Sequence, residues 1–232
     1  MGFRKWEDIP EFMKCDEVKE YYDILVKKKG ALGLKRGFDV VISTIMLIIF
    51  AVPMLLIAIM IKADSPGPVF YRQERVTTYG KKFRIHKFRT MVNNADRIGS
   101  AVTVGGDARI TKIGAKIRNL RIDEVPQLLD VLVGNMSFVG TRPEATKYVE
   151  QYTNEMYATL LLPAGITSEA SIRYKDEAKL LDAADNVDKV YVEYVLPSKM
   201  KWNLRSIKNY NFRKDVLTMF RTVAAVLGKD YE

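Results

Sequence analysis

The sequence predicts an α/β fold, mostly helical, in which a small domain carries a re-entrant membrane helix hairpin and amphipathic helices at the interface. Three observations predict it. An uncharged apolar run extends from Val40 to Ile61, strand patterns lie between residues 69 and 88, and helical periodicity dominates the remainder. At ~1.5 Å per residue, a helix of about 22 residues spans roughly 33 Å, the thickness of a bilayer's hydrocarbon core.

Residues 1–34 form a polar N-terminal extension, within which Val18, Tyr21, Tyr22 and Leu25 share one helical face. Gly30 and Gly33 read as a break. Residues 35–62 form the membrane element. Pro53 lies inside it, removes a backbone donor and favours a kink. Both flanks are basic: Lys27, Lys28, Lys29, Lys35 and Arg36 precede the run, and Lys62, Arg72, Arg75, Lys81 and Lys82 follow it. The positive-inside rule places both flanks in the cytoplasm, which favours a hairpin. A straight span stays open, because proline also occurs in spanning helices.

Residues 63–232 form the domain proper. Ser65-Pro66-Gly67-Pro68 makes a turn. Val69–Tyr71 and Phe83–Phe88 read as strands around a turn at Tyr79–Lys82. Gly105-Gly106-Asp107 marks a loop. Ile110–Leu120 reads as a helix, and Asp123–Leu132 as another, with Pro126 in its first turn and Gly134 ending it. Residues 144–161 and Asp176–Tyr194 also read as helical. From Lys199 to Leu227 the pattern is amphipathic and basic, with Val216, Leu217, Phe220, Val223, Ala224 and Leu227 on one face. This stretch either lies on a membrane surface or packs on the domain's own core.

Composition narrows the function. The 232 residues are 48% hydrophobic, which excludes a disordered chain. A net charge of +9 calls for an anionic partner: nucleic acid, anionic lipid or a phosphorylated substrate. The lone cysteine, Cys15, excludes an internal disulfide and fits a reducing compartment. The first residues lead into no apolar stretch, so no cleavable signal peptide is expected. No Walker A, GxGxxG or GxSxG pattern occurs, and the single histidine, His86, argues against zinc.

Three blocks carry chemistry. In Arg118–Leu128, adjacent Asp123 and Glu124 sit at an expected helix start, where anions are favoured. A carboxylate kept ionised there can bind a divalent metal or act as a nucleophile, while ordinary helix-start chemistry explains the same residues. In Gly134–Glu144, glycines at both ends allow close backbone approach to a ligand, and Arg142 precedes a proline. In Lys87–Met91, strand alternation puts Lys87 and Arg89 on one face, able to meet a diphosphate or simply solvated.

Taken in order, these blocks resemble the bacterial sugar transferases, the monotopic phosphoglycosyl transferases. The resemblance runs from Lys35-Arg36-Gly37-Phe38-Asp39 through Ser65–Phe70, Gln73-Glu74-Arg75, Phe83–Met91, Asp107–Thr111, Arg118–Leu128 and Gly134–Pro143 to Pro163–Thr167, and so covers about residues 35–227. It implies a re-entrant helix–break–helix with Pro53 at the break, on a small α/β catalytic domain at the cytoplasmic face of the bacterial inner membrane. It further implies Asp123 and Glu124 as the catalytic dyad, Arg118 and Arg142 at phosphate-binding positions, and a requirement for magnesium, with Asp123 a candidate ligand. Asn135, Thr141 and Arg121 depart from the usual pattern, and none touches the dyad. The expected reaction moves a sugar phosphate from a UDP-sugar to polyprenyl phosphate in a phospholipid membrane, with Asp123 attacking phosphorus and Lys87 and Arg89 assisting the phosphates. No nucleic acid is expected as partner; a homo-oligomer stays open.

Overall fold

The computed structural model describes residues 2–95, 107–174 and 186–226. Helix α1 (Asp16–Val26) buries Val18, Tyr21, Tyr22 and Leu25, the face its spacing predicts. That face packs into a cluster with Ile9 and Met13, the 3-10 segment Glu155–Leu161, and Leu196, Met200, Leu204 and Ile207. The N-terminal extension is therefore part of the core. The boundary expected after residue 34 falls inside the next element, α2 (Lys29–Asp64).

Helix α2 runs through Gly30 and Gly33, where a break was expected. Glycine in a helix costs only about 1 kcal/mol, and packing of Ala31 and Leu32 on the core offsets this. The helix also continues through Pro53, so no non-helical linker separates its halves. It is long and apolar enough to cross a membrane. Its outer face is bare: Ile48, Ile49, Val52, Leu55, Leu56 and Ile59 are all exposed, Ile48 by 73%.

Both halves of α2 rest on the same body. Phe38, Ile42, Met46, Leu47 and Phe50 pack on Phe83, Leu128, Val131, Met136 and Phe138. Beyond the proline, Met54, Ile57 and Ile61 pack with Phe88 and Ile117. Polar contacts fix each end. Lys35 Nζ lies 2.6 Å from Asp215 Oδ2, and Arg36 donates to the carbonyls of Val131 and Leu132 at 2.6 and 2.7 Å. At the far end Arg89 donates to the carbonyls of Pro66 (2.5 Å) and Ser65 (2.7 Å).

Strands are few. β1 (Phe70–Tyr71) pairs with β4 (Lys87–Phe88), and β2 (Glu74–Val76) with β3 (Lys82–Arg84), both antiparallel and nested around the expected turn. After α3 (Lys112–Asn119) and α4 (Leu128–Val133), β5 (Met136–Val139) pairs in parallel with β6 (Ala164–Thr167). The 144–161 helix is interrupted: α5 (Thr146–Val149) is followed by the separate 3-10 segment. After α6 (Glu169–Arg173), the Asp176–Tyr194 helix lies partly outside the described residues; what is described is α7 (Val187–Val190) and a π-helical turn, Tyr191–Val195. Gly105 and Gly106 likewise lie outside them.

The amphipathic stretch expected from Lys199 to Leu227 is two helices with different fates. α8 (Leu196–Lys208) buries Leu196, Met200, Leu204 and Ile207 in the core. α9 (Phe212–Val226) keeps Leu217, Phe220 and Val223 exposed. An exposed apolar stripe on a basic helix suits an interfacial position; Leu227 lies outside the described residues.

Candidate active site

The dyad is delivered by the end of α3. Thr111 caps that helix, its Oγ1 accepting from Gly114 N at 3.0 Å. At the other end Arg121 takes a left-handed conformation, φ +55°, and Ile122 N–H donates back to Ile117 O at 3.1 Å. This is the Schellman arrangement, in which the left-handed position is usually glycine. Asp123 and Glu124 follow directly. They precede a 3-10 turn, Val125–Gln127, and only then the six-residue α4. The expected helix N-terminus therefore does not itself hold them. Because a side chain in the left-handed region costs about 1 kcal/mol relative to glycine, Arg121→Gly is expected to raise the melting temperature. A fall would show that the arginine side chain contributes more than its backbone costs.

Strand β4 meets the dyad edge-on. Phe88 N–H donates to Asp123 O at 2.9 Å, which places the preceding side chain, Lys87, over Glu124 with Nζ 2.7 Å from Oε1. Arg142 closes the other side: its Nη2 donates to Glu124 Oε1 and its Nη1 to Oε2 at 3.3 Å, a two-pronged contact. Arg142 follows β5 on a segment tied to β6, with Gly140 N–H donating to Thr167 O and Gly165 N–H to Thr141 O. A Cβ at Gly140 would meet Pro163 O at 2.5 Å. This glycine thus permits backbone-to-backbone approach, where approach to a ligand was expected. Gly134, φ +86°, ends α4.

Two adjacent carboxylates are pushed in opposite directions. Burial alone would raise the Glu124 carboxyl, but Arg142 and Lys87 outweigh it and hold that carboxyl well below the usual carboxylate range. Burial and the Glu124 charge raise Asp123, against the opposing pull of Lys87 and Arg118. Glu124 is thereby a fixed anion inside a cationic clamp. The Asp123 carboxyl is pushed the other way, a pattern found where two acids have separate roles. Arg118 donates from Nε to Thr90 Oγ1 at 2.8 Å and acts on Asp123 through its charge.

Of the residues expected at the site, Lys87, Glu124 and Arg142 are in direct contact, and Asp123 and Arg118 join them electrostatically. Arg89 is a correction. It is buried, and its guanidinium is committed to the carbonyls that follow α2, so it is not brought to the dyad. The strand ends at Phe88, and the alternation that would have placed Arg89 beside Lys87 ends with it. Pro53 lies within α2 and not at the site. Sequence reasoning missed two contributors. Thr90 seats Arg118, and Asp107, held down to about 2 by Arg109, adds a second negative charge facing Arg118. His86 turns away from the dyad, Nδ1 2.9 Å from the fully buried Asp130 Oδ1.

No group of three or more His, Cys, Asp or Glu able to hold a metal occurs among the described residues. With Glu124 occupied by two cations, Asp123 is the dyad carboxylate left for one. That fits a magnesium ion, which typically takes one or two protein carboxylates and draws its other ligands from substrate phosphates and water.

Comparison with known proteins agrees with this architecture. A family profile described as bacterial sugar transferase matches residues 30–229. The chain is 37% identical over 198 residues to the UDP-N-acetylgalactosamine-undecaprenyl-phosphate N-acetylgalactosaminephosphotransferase of Aeromonas hydrophila, covering 84% of this chain and 44% of that protein. It is 40% identical over 166 residues to a putative undecaprenyl-phosphate N-acetylgalactosaminyl 1-phosphate transferase of Bacillus subtilis, covering 70% and 90%. It is 34% identical over 199 residues to the UDP-glucose:undecaprenyl-phosphate glucose-1-phosphate transferase of Caulobacter vibrioides, covering 84% and 70%. The chain thus spans under half the length of the Aeromonas relative and most of the other two. A match over residues 30–229, which takes in nearly all of α2 and the clamped dyad, shows that the chain belongs to the bacterial sugar transferase family.

Proposed function

We propose that this protein transfers a sugar-1-phosphate from a UDP-sugar to a polyprenyl phosphate, such as undecaprenyl phosphate, releasing UMP at the cytoplasmic face of the bacterial plasma membrane. The reaction begins assembly of a surface glycan. The observation that carries the reading is the geometry of the dyad: Asp123 directly beside a Glu124 locked between Lys87 and Arg142. The names of the relatives support the same donor and acceptor classes.

Asp123 attacks the β-phosphorus in line. A bond forms from its carboxylate oxygen to phosphorus as the bond to the UMP oxygen breaks, leaving a phosphosugar on the aspartate. A phosphate oxygen of the lipid then attacks the same phosphorus and frees Asp123. Lys87, Arg118 and Arg142 face the charge that develops on the phosphoryl oxygens. Asp123 would hold a magnesium ion, which would supply positive charge to offset that of the donor's phosphates. The membrane helix serves proximity, since the lipid acceptor stays in the bilayer and the nucleotide stays in water. The reading includes re-entry of α2, supported by Pro53 inside the helix and by the packing of residues on both sides of it against the same domain.

Incubating the protein with phosphorus-labelled UDP-sugars, without lipid, tests the covalent route. Label should remain on the protein under quench conditions that preserve acyl phosphates, and leave it when a short polyprenyl phosphate is added. Unlabelled protein in an active preparation would reduce Asp123 to a metal ligand in a single-step transfer.

The pH dependence follows from Asp123. The attacking form is ionised, and the site raises its carboxyl above the ordinary aspartate value of about 3.9. In the magnesium-free protein the Asp123 carboxyl, followed by NMR, should therefore titrate above that value. Titration at or below it would contradict the opposite displacement of the two carboxyls.

A further inference from the structure

A buried ionic cluster lies directly behind Arg142 and belongs to none of the roles above. Glu144, Tyr191 and Lys199 are 5%, 4% and 4% exposed. Tyr191 Oη donates to Glu144 Oε1 at 2.7 Å, and Lys199 Nζ donates to Tyr191 Oη at 3.2 Å while lying 3.6 Å from Glu144 Oε1. The backbone of the same segment is held as well. Val76 N–H donates to Glu144 O at 3.0 Å, and Arg75 Nη1 to Pro143 O at 3.3 Å. Tyr148 lies against Tyr191, ring centroids 4.6 Å apart. Tyr191 opens the π-helical turn, a local irregularity that often marks functional positions.

Such a cluster is a poor means of stabilising a core, because desolvating a carboxylate and an ammonium roughly cancels their attraction, and apolar replacements often serve as well. What it does supply is direction, two residues from the arginine that grips Glu124. We propose that Tyr191 and Lys199 are positioning residues. Through Glu144 they hold the Arg142–Pro143 segment so that the Arg142 guanidinium faces Glu124 and the donor's diphosphate. The helical unit from residue 187 to 208 is thereby coupled to the dyad. The inference rests on the transferase reading only for its activity measurement.

The test uses the full chain in nanodiscs, with Tyr191→Phe, Lys199→Met and Arg142→Ala. Hydrogen exchange at the amides of Gly140, Thr141, Arg142, Glu144 and Ala145 should quicken in the first two variants, while that of α3 stays as it was. For UMP release, Tyr191→Phe should lower kcat/KM about tenfold, since small misplacements of a phosphate-binding group are costly. Made in the Arg142→Ala background, the same change should cost less than about twofold, because nothing remains to be aimed. Equal losses in both backgrounds would make Tyr191 merely structural and overturn the inference, as would unchanged exchange at 140–145. A wild-type protein that releases no UMP from any UDP-sugar would remove the transferase reading alone; the exchange measurement would still decide the positioning.

Discussion

Asp123→Asn is expected to stop turnover and leave the protein more stable. Removing the attacking oxygen should lower UMP release on the order of 10⁶-fold, the scale seen when a covalent nucleophile is deleted. The stability gain follows from the sign of the shift. Burial and Glu124 raise the Asp123 carboxyl in the folded state. The stability linked to its proton is thus fully present only below the unfolded value, and is lost as pH rises through the folded one. At pH 7 the wild type folds around an ionised group that its surroundings disfavour, and a neutral amide of the same shape relieves that. Thermal melts in detergent at pH 7, beside the UMP assay, measure both halves. An Asn variant that melts lower, or one that retains UMP release, would contradict the role assigned to Asp123.

The neighbouring carboxylate should behave in the opposite way. Glu124→Gln removes the anion that Lys87 and Arg142 share. Its folded carboxyl lies below the ordinary range. Its contribution to stability is therefore present above the unfolded value of about 4.3 and is lost as pH falls through the folded one. At pH 7 the variant should lose about 2 kcal/mol, less than the 3–5 kcal/mol of a fully buried pair because Arg142 is partly exposed to solvent. Activity should drop about 10²-fold, as two cations repel and the phosphate-binding groups spread. The loss in stability should shrink steadily as wild type and variant are compared at pH values falling below about 4.3. If Glu124→Gln melts like the wild type at pH 7, the clamp is not the organising feature described above. The contrast is the sharper test: two adjacent acids whose amide variants move the melting temperature in opposite directions.

Much of this site could be read in the chain. The Asp123–Glu124 pair, Lys87, Arg118 and Arg142 are chemically conspicuous types in an ordered set of motifs, and the uncharged run from Val40 to Ile61 has no ordinary place in a soluble core. Helix α1 was legible because Val18, Tyr21, Tyr22 and Leu25 repeat with the period of the helix they form. Arg89 was misread because strand alternation is a local rule. The carbonyls that capture its guanidinium belong to a turn over 20 residues away in sequence. Lys199–Leu227 read as one stripe because a moment along the sequence cannot distinguish burial against a core, the fate of α8, from exposure, the fate of α9.

By itself, then, the sequence determined which groups are available: an apolar helix, a basic surface, and two adjacent carboxylates with arginines before and after them. Residue type and short-range periodicity are properties of the chain alone. Only the tertiary structure decided what each charge does. It locked Glu124 between Lys87 and Arg142, pushed the Asp123 carboxyl upward, turned Arg89 onto the end of α2, and set Glu144, Tyr191 and Lys199 behind Arg142. The physical reason is that electrostatic fate depends on distance and burial, and both are set by segments far apart in sequence that meet only when the chain is folded.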